Sequence, residues 1–396
     1  MKTKGINRRD FLRLSATGVG AFMLPGAVAS TLAKAPEGEA ASNDIPKRVL
    51  GRTGIELPIL SMGVMRADNP NVVRAAYNSG IFHFDTANGY QNGRNEEMLG
   101  SFFEGKPRES FFIATKAKFD ESFPANFEED FNGKLATSLR RLKIDCVDIF
   151  YAHSIGGLDA INNDRLVNAM KKIKDKGQAR FLGFSTHANK PEQIDAAIEA
   201  GIYDVILLSY NFKMDNLPAT DAAIERAAKA GIGLVAMKTM TGGVEDAAGK
   251  KKIDARACLK WVWQNPHITT AIPGFANYDE FEECMAAAAD TALTADERKY
   301  LASLRNREML FCQQCGQCRE QCPAGLPIPD IMRAYMYAYG YKHAQLAKET
   351  LAELNLPENA CSNCGTCPVQ CTAGFNVGRK IAAVTPVLDI PNEFLT

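Results

Sequence analysis

From about residue 47 to residue 305, short apolar runs alternate with segments whose apolar positions recur every three or four residues. The first pattern reads as buried strands, the second as helices burying one face. The strand candidates are Ile59–Gly63, Ile81–Asp85, Phe111–Lys116, Val147–Ala152, Phe181–Ser185, Val205–Ser209, Gly233–Met237 and Thr269–Ile272. Helical periodicity covers Asn71–Ser79, Glu96–Phe103, Phe127–Leu142, Arg165–Gly177, Pro191–Ala200, Asp221–Ala230 and Ala255–Gln264. Eight strands with helical crossovers over about 255 residues have the size and rhythm of a (β/α)₈ TIM barrel. An open doubly wound sheet is the alternative, but no G-x-G-x-x-G follows the first strand. Arg48–Glu56 reads as a short hairpin plugging the barrel floor. After residue 305 the strand rhythm stops and a helical stretch, Ile328–Leu354, follows. Tyr335, Tyr337, Tyr339 and Tyr341 alternate within it; with Ala, Met and Gly between them and helix on both sides, they read as a packed helix and not as a binding stripe.

Eight of the 11 cysteines fall into two runs of one spacing, Cys312, Cys315, Cys318, Cys322 and Cys361, Cys364, Cys367, Cys371. This is C-x₂-C-x₂-C-x₃-C twice. Thiolates crowded into one turn of chain bridge each other poorly as disulfides but can wrap three corners of a cubane. The runs therefore predict two 4Fe–4S clusters, each taking its fourth ligand from the other run: Cys312, Cys315, Cys318 with Cys371, and Cys361, Cys364, Cys367 with Cys322. Zinc would want separated C-x₂-C pairs or Cys/His mixtures. The remaining Cys146, Cys258 and Cys284 lie in apolar or helical stretches and read as buried small hydrophobes. The expected organisation is a leader with the start of a linker over 1–35, a barrel over 46–305, and a small, mostly helical ferredoxin-like domain over 306–396.

Near the start, Asn7-Arg8-Arg9-Asp10-Phe11-Leu12-Arg13-Leu14 precedes a weakly apolar run to about Ala29. It resembles a twin-arginine export signal, so the translocation machinery is an expected partner and a periplasmic or otherwise exported location is expected. The run is too short and too rich in Gly, Ala and Ser to span a bilayer. Ala27-Val28-Ala29 is one cleavage site and the vicinity of Ala33 another. That route carries folded proteins, which suits clusters assembled in a reducing cytosol. Residues 1–29 hold five basic residues and one acidic one, leaving the rest of the neutral chain about four charges negative. Nothing in this balance suggests a nucleic-acid partner.

Asp85, Lys116 and His153 close three successive strand candidates, which in a barrel puts them together on the top rim. Tyr90 follows Asp85 in the loop Thr86-Ala87-Asn88-Gly89-Tyr90, close enough to lean over the same mouth. Each alone has a bland reading as a solvated rim residue. Together they combine carboxylate, ammonium, imidazole and phenol. A nearby ammonium favours phenolate and should lower the pKa of Tyr90. Asp85 would hold Lys116, and His153 would hydrogen-bond a carbonyl oxygen as charge develops on it.

On these residues the chain resembles the aldo-keto reductase family, in its branch with a ferredoxin-like C-terminal extension. The resemblance covers about residues 46–305 and the cysteine tail. It is carried by Phe84-Asp85-Thr86-Ala87 with Tyr90, Asn95-Glu96-Glu97, Ala114-Thr115-Lys116, Asp148-Ile149-Phe150-Tyr151-Ala152-His153, Gly183-Phe184-Ser185, Tyr210-Asn211 and Ile272-Pro273-Gly274. It implies reduction of an aldehyde or ketone, or oxidation of the alcohol, by a nicotinamide, with Tyr90 as general acid aided by Lys116, Asp85 and His153. The cofactor side departs from the family. The carboxamide partners, a Ser-Asn pair and a later Gln, fall on Ser185, Thr186 and Leu207, and the nicotinamide-stacking position falls on Met237. The arginine that grips the 2′-phosphate of NADP falls near Glu280, which favours NAD(H) over NADP(H). Tyr210, Lys238, Gly242, Gly274 and Glu283 complete the expected cofactor contacts. A nicotinamide moves two electrons as hydride and a cluster moves one. This difficulty leaves the clusters either structural or wired to a one-electron redox partner, with bound FMN as a candidate mediator. The competing function is an electron-transfer subunit whose barrel is a docking platform.

Overall fold

The computed structural model describes residues 45–214, 216–241, 253–305, 311–357, 360–361, 364, 366–372 and 374–395. The export signal and Gly242 lie outside the described residues.

β1 (Lys47–Val49) and β2 (Glu56–Pro58) form the expected antiparallel hairpin. Leu50 and Leu57 are fully buried in one cluster with Phe112, Ile149, Val205 and Val235, so the hairpin stoppers the barrel. Arg48 clamps it, donating to the carbonyls of Trp263, Asn265 and Ile268 at 2.8, 3.0 and 2.6 Å. Gly51 has φ +48°, and a Cβ there would lie 2.4 Å from the Gly231 carbonyl oxygen, so no larger residue fits.

Eight parallel strands follow: β3 (Met62–Gly63), β4 (His83–Asp85), β5 (Phe112–Ala117), β6 (Val147–Ile155), β7 (Ala179–Thr186), β8 (Val205–Ser209), β9 (Gly233–Met237) and β10 (Ile268–Ala271). They pair in chain order. A bridge from Leu60 to Ala271 and the bonds Ser61 N–H to Ala271 O and Gly63 N–H to Pro273 O bring the ends together, giving a nearly closed barrel. The strands are covered on both faces, which is why β8 is apolar at four successive positions and buried at all five. Helices cross over between strands near the expected positions, and Phe127–Leu142 falls on its expected bounds. Two further helices, Tyr278–Ala289 and Ala295–Arg305, escape the apolar pattern because their sequences are alanine-rich and charged.

The tail has its own core around Leu326, Ile331, Met332, Leu346, Leu351 and Ile381. The helical stretch expected to run unbroken from 328 to 354 is interrupted. Ile328–Tyr335 passes into a π-helical turn, Met336–Gly340, and a new helix, Ala344–Ala352, starts after Lys342 at φ +55°. His343 caps that helix, its Nδ1 accepting from the Leu346 N–H at 3.1 Å. No helix among the described residues is long and apolar enough to cross a membrane.

Candidate active site

Asp85 ends β4, Lys116 is the penultimate residue of β5, and His153 stands near the end of β6, where the register with β7 shifts between Ala152 and Ile155. Ser154 has φ +61°, and its N–H donates to Ser185 Oγ at 2.7 Å. A bulge of this kind re-aims the neighbouring side chain, here His153 toward the mouth. The loop carrying Tyr90 is pinned from behind. Thr86 Oγ1 donates to Asn95 Oδ1 at 2.6 Å, Arg141 donates to Asn88 O at 2.8 Å and to the buried Glu96 at 3.2 Å, and Thr115 donates to Glu96 at 2.6 Å. Gly93, at φ +92°, lets Arg141 pass, since a Cβ there would meet its guanidinium at 2.2 Å. The Asn95-Glu96 pair therefore positions the catalytic loop.

Lys116 is fully buried and donates to Asp85 Oδ1 and to Thr86 O, both at 2.5 Å. Its ammonium lies 5.1 Å over the Tyr90 ring, and the Tyr90 and His153 rings meet edge to face at 5.8 Å. The four expected residues thus converge, but the electrostatics differ from the sequence expectation. Withdrawal from solvent, with the Asp85 charge adding to it, pushes the Tyr90 phenol above its ordinary value; the cation opposing this is Arg333, from the tail. Lys116 is spent on Asp85. Burial pushes Asp85 up and Lys116 down, and their mutual attraction resists both shifts. His153 is held well below its usual value by burial and by Lys116, and so stays neutral.

These residues line a cavity of about 450 Å³, of the size that takes a small molecule. Its roof comes from the tail: Arg333, Tyr337, Tyr341, Leu346, Glu349 and Glu353 face Tyr90, Lys116, His153 and His187 across it. The tyrosine alternation therefore splits. Tyr337 and Tyr341 stack at 5.7 Å on the cavity side, whereas Tyr335 and Tyr339 pair at 4.6 Å, with Lys380 4.1 Å over Tyr335. His187, Arg333, Tyr337 and Tyr341 were not among the expected site residues.

The expected cofactor contacts divide as well. Lys238 and Gly274 line the cavity, as does Met237. Ser185 Oγ and Thr186 Oγ1 are buried and engaged with Ser154 N–H and with Ala188, and Leu207 is sealed in the apolar interior. Tyr210 turns outward instead of joining the mouth, donating to Asp221 at 2.6 Å and packing on Trp261. Glu280 is gripped by Arg66 at 3.2 and 3.3 Å, and Glu283 accepts from the Ala255 N–H at 3.0 Å. Ser185, Thr186, Leu207, Tyr210, Glu280 and Glu283 thus have partners within the protein, whereas Met237, Lys238 and Gly274 open on the cavity.

The cysteines do fit their clusters. Cys315, Cys318 and Cys371 lie near enough to raise the Cys312 thiol, and Cys367, Cys322 and Cys364 the Cys361 thiol, a neighbourhood in keeping with the expected exchange of last cysteines. All eight are free thiols. The second quartet lines a cavity of about 730 Å³. Gln314, within the first run, accepts from Arg333 Nη2 at 3.1 Å and so links that quartet to the catalytic roof.

Comparison with known proteins agrees with this division. The aldo/keto reductase family model matches residues 60–257, and a 4Fe-4S dicluster domain model matches residues 311–376. L-galactose dehydrogenase of Arabidopsis thaliana is 26% identical over 289 residues, which is 62% of this chain and 89% of that protein. An aldo-keto reductase of Schizosaccharomyces pombe, named with NADP(+), is 30% identical over 158 residues, 36% of this chain and 45% of its own length. An aldo-keto reductase of Bacillus halodurans solved in its holo form superposes with a TM-score of 0.55 at 21% identity, over 66% of this chain and 96% of that one, a likeness of fold. None of these supports bound FMN.

Proposed function

The chain belongs to the aldo/keto reductase family, and from that premise we propose that it is an exported iron–sulfur oxidoreductase reducing a small-molecule carbonyl, with Tyr90 as proton donor. The observation that carries the reading is the single cavity onto which Tyr90, the Lys116–Asp85 pair and His153 all open. Neutral His153 has an N–H to offer a carbonyl oxygen. Tyr90, whose proton is held tightly by burial and by Asp85, suits donation to the developing alkoxide better than abstraction from an alcohol. The Lys116 ammonium, held by Asp85, lies 5.1 Å over the face of the Tyr90 ring.

When bound, the clusters would supply electrons one at a time. Reduction of a carbonyl to an alcohol takes two electrons and two protons; Tyr90 would give the proton that ends on oxygen, and water entering the cavity the one that ends on carbon. We place the reducing equivalents on the cluster side, supplied by a one-electron redox partner, because the hydroxyls and carboxylate that would hold a nicotinamide are engaged elsewhere. The alternative reductant is a nicotinamide, as named for the Schizosaccharomyces pombe relative. In the test, anaerobic cluster-loaded protein is first mixed in its oxidised form with NADH or NADPH, and its visible absorbance is expected to stay unchanged. Reduced with dithionite and freed of excess reductant, it is then expected to be reoxidised by a carbonyl compound. Bleaching by either nucleotide would return the hydride source to nicotinamide. Failure of every carbonyl in a broad panel to reoxidise the clusters would leave the electron-transfer subunit as the better reading.

Export rests on Arg8 and Arg9. Changing both to Lys is expected to retain cluster-loaded protein in the cytosol, because the pair is an address and no part of the barrel. Unchanged appearance outside the cytosol on fractionation would remove the twin-arginine route.

A further inference from the structure

Six cations line the catalytic cavity. Five have a carboxylate partner: Lys116 with Asp85, Lys118 with Glu353, Lys134 with Asp130, Arg66 with Glu280, and Arg333 with Asp330. The remaining cavity carboxylate, Glu349, pairs with Arg94. Lys238 has no carboxylate partner among the described residues. Its Nζ donates to Tyr341 Oη at 3.1 Å and rests 5.2 and 5.8 Å from the Tyr341 and Tyr337 ring centres. Its backbone is held at φ +56°, an unusual conformation for a non-glycine residue and one that clusters at working sites.

Arg333 stands beside it under the same roof. Its Nη2 is committed to Gln314 at 3.1 Å, Asp330 at 3.2 Å and Ser154 Oγ at 3.4 Å. Its Nε is buried and has no hydrogen-bond partner, and Nη1 makes no hydrogen bond among the described residues. An orphaned guanidinium N–H at the wall of a cavity costs free energy unless a ligand atom meets it. Guanidinium edges match oxyanions, and an ammonium adds a point charge. Ser154 follows His153 in the chain, so the Arg333 guanidinium, through Nη2, reaches the same wall of the cavity as His153 and Tyr90.

We propose that the substrate carries a carboxylate next to its reacting carbonyl, a 2-oxo acid, and that Arg333 from the tail and Lys238 from the barrel hold that carboxylate. This rests on the reductase reading above. It also assigns the tail helix a substrate-binding role beyond carrying clusters: the oxyanion charge is neutralised jointly by the two halves of the chain. Burial, with Arg333 and Arg66 adding to it, holds the Lys238 ammonium down to about 8, as expected of a cation lacking its counter-charge.

The test is calorimetric titration of anaerobic, cluster-loaded full-length protein with pyruvate, phenylglyoxylate, their neutral methyl esters, inorganic pyrophosphate and NADH. At least one acid is expected to bind, and its ester at least about 30-fold more weakly. Arg333→Gln and Lys238→Met should each lower acid affinity by about 30-fold or more, with Arg333→Lys intermediate. Arg333 also touches Gln314 of the first cysteine run, so Lys238→Met carries the test if Arg333→Gln loses a cluster. Equal binding of acid and ester, or unchanged acid binding in Lys238→Met, would overturn the proposal. So would binding of pyrophosphate or NADH without either acid, which would make the cations a dinucleotide site. Acid binding with no turnover would leave the recognition standing and sink the reductase reading instead.

Discussion

Tyr90→Phe is expected to lower kcat by a factor on the order of 10² to 10⁴ while leaving the barrel and both clusters in place. The substitution removes one oxygen atom. The phenyl ring keeps its edge-to-face contact with His153 and its place under the Lys116 ammonium, so the packing that positions the rim survives. What disappears is the proton for the developing alkoxide. The pH dependence should distinguish this from a general loosening. Because burial and the Asp85 charge raise the phenol above its ordinary value of about 10, the wild-type rate should show no tyrosine limb below that pH. In an anaerobic assay following cluster reoxidation, wild type and variant should therefore differ by a nearly constant factor between neutrality and pH 9. Activity within tenfold of wild type, with visible absorbance and circular dichroism unchanged, would take Tyr90 out of the acid role.

Cys315→Ser should remove one of two clusters and most of the activity with it. Two clusters of four give about eight iron and eight acid-labile sulfide per chain, and the variant should fall to about half of each. The loss should not stay local. Cys315 belongs to the quartet closed by Cys371, 56 positions later, and the chain between them carries the roof helices and both ends of the second quartet. Gln314, its neighbour, holds Arg333 in the cavity wall. Catalysis should thus fall by well over tenfold, although Tyr90, Lys116 and His153 are untouched. Full iron content in the variant, or stoichiometric zinc in the wild type, would refute the assignment.

Much of this could be read from the chain because its signals are local. A buried parallel strand announces itself as an apolar run, and the residue at its end lies on the rim by geometry alone. Asp85, Lys116 and His153 were found that way. The same rule applied to Ser185-Thr186-His187 would have found His187, which was passed over because the family places amide partners there. Arg333, Tyr337 and Tyr341 were out of reach for a different reason. They are about 150 or more residues from the rim they face, and nothing in a helical repeat says which face meets another domain. The pairing of Glu280 with Arg66 was out of reach in the same way, since Arg66 lies at the other end of the barrel sequence. Lys116 was credited with tuning Tyr90 from proximity in the pattern, whereas its short contact with Asp85 leaves Arg333 as the opposing cation.

The roof over the barrel mouth is bracketed by two cysteines of one expected quartet, with Cys322 before Ile328–Tyr335 and Cys361 after Ala344–Ala352. Before iron arrives, that roof is held by its apolar core and by contacts such as those of Tyr341 with Lys238 and Arg66, and a cluster on those cysteines would add a tie between its two ends. Metallation then acts as a licence for catalysis as well as a means of carrying current. Loss of iron would then loosen the ceiling over the reactive phenol first, so that metal content and turnover are expected to fall together.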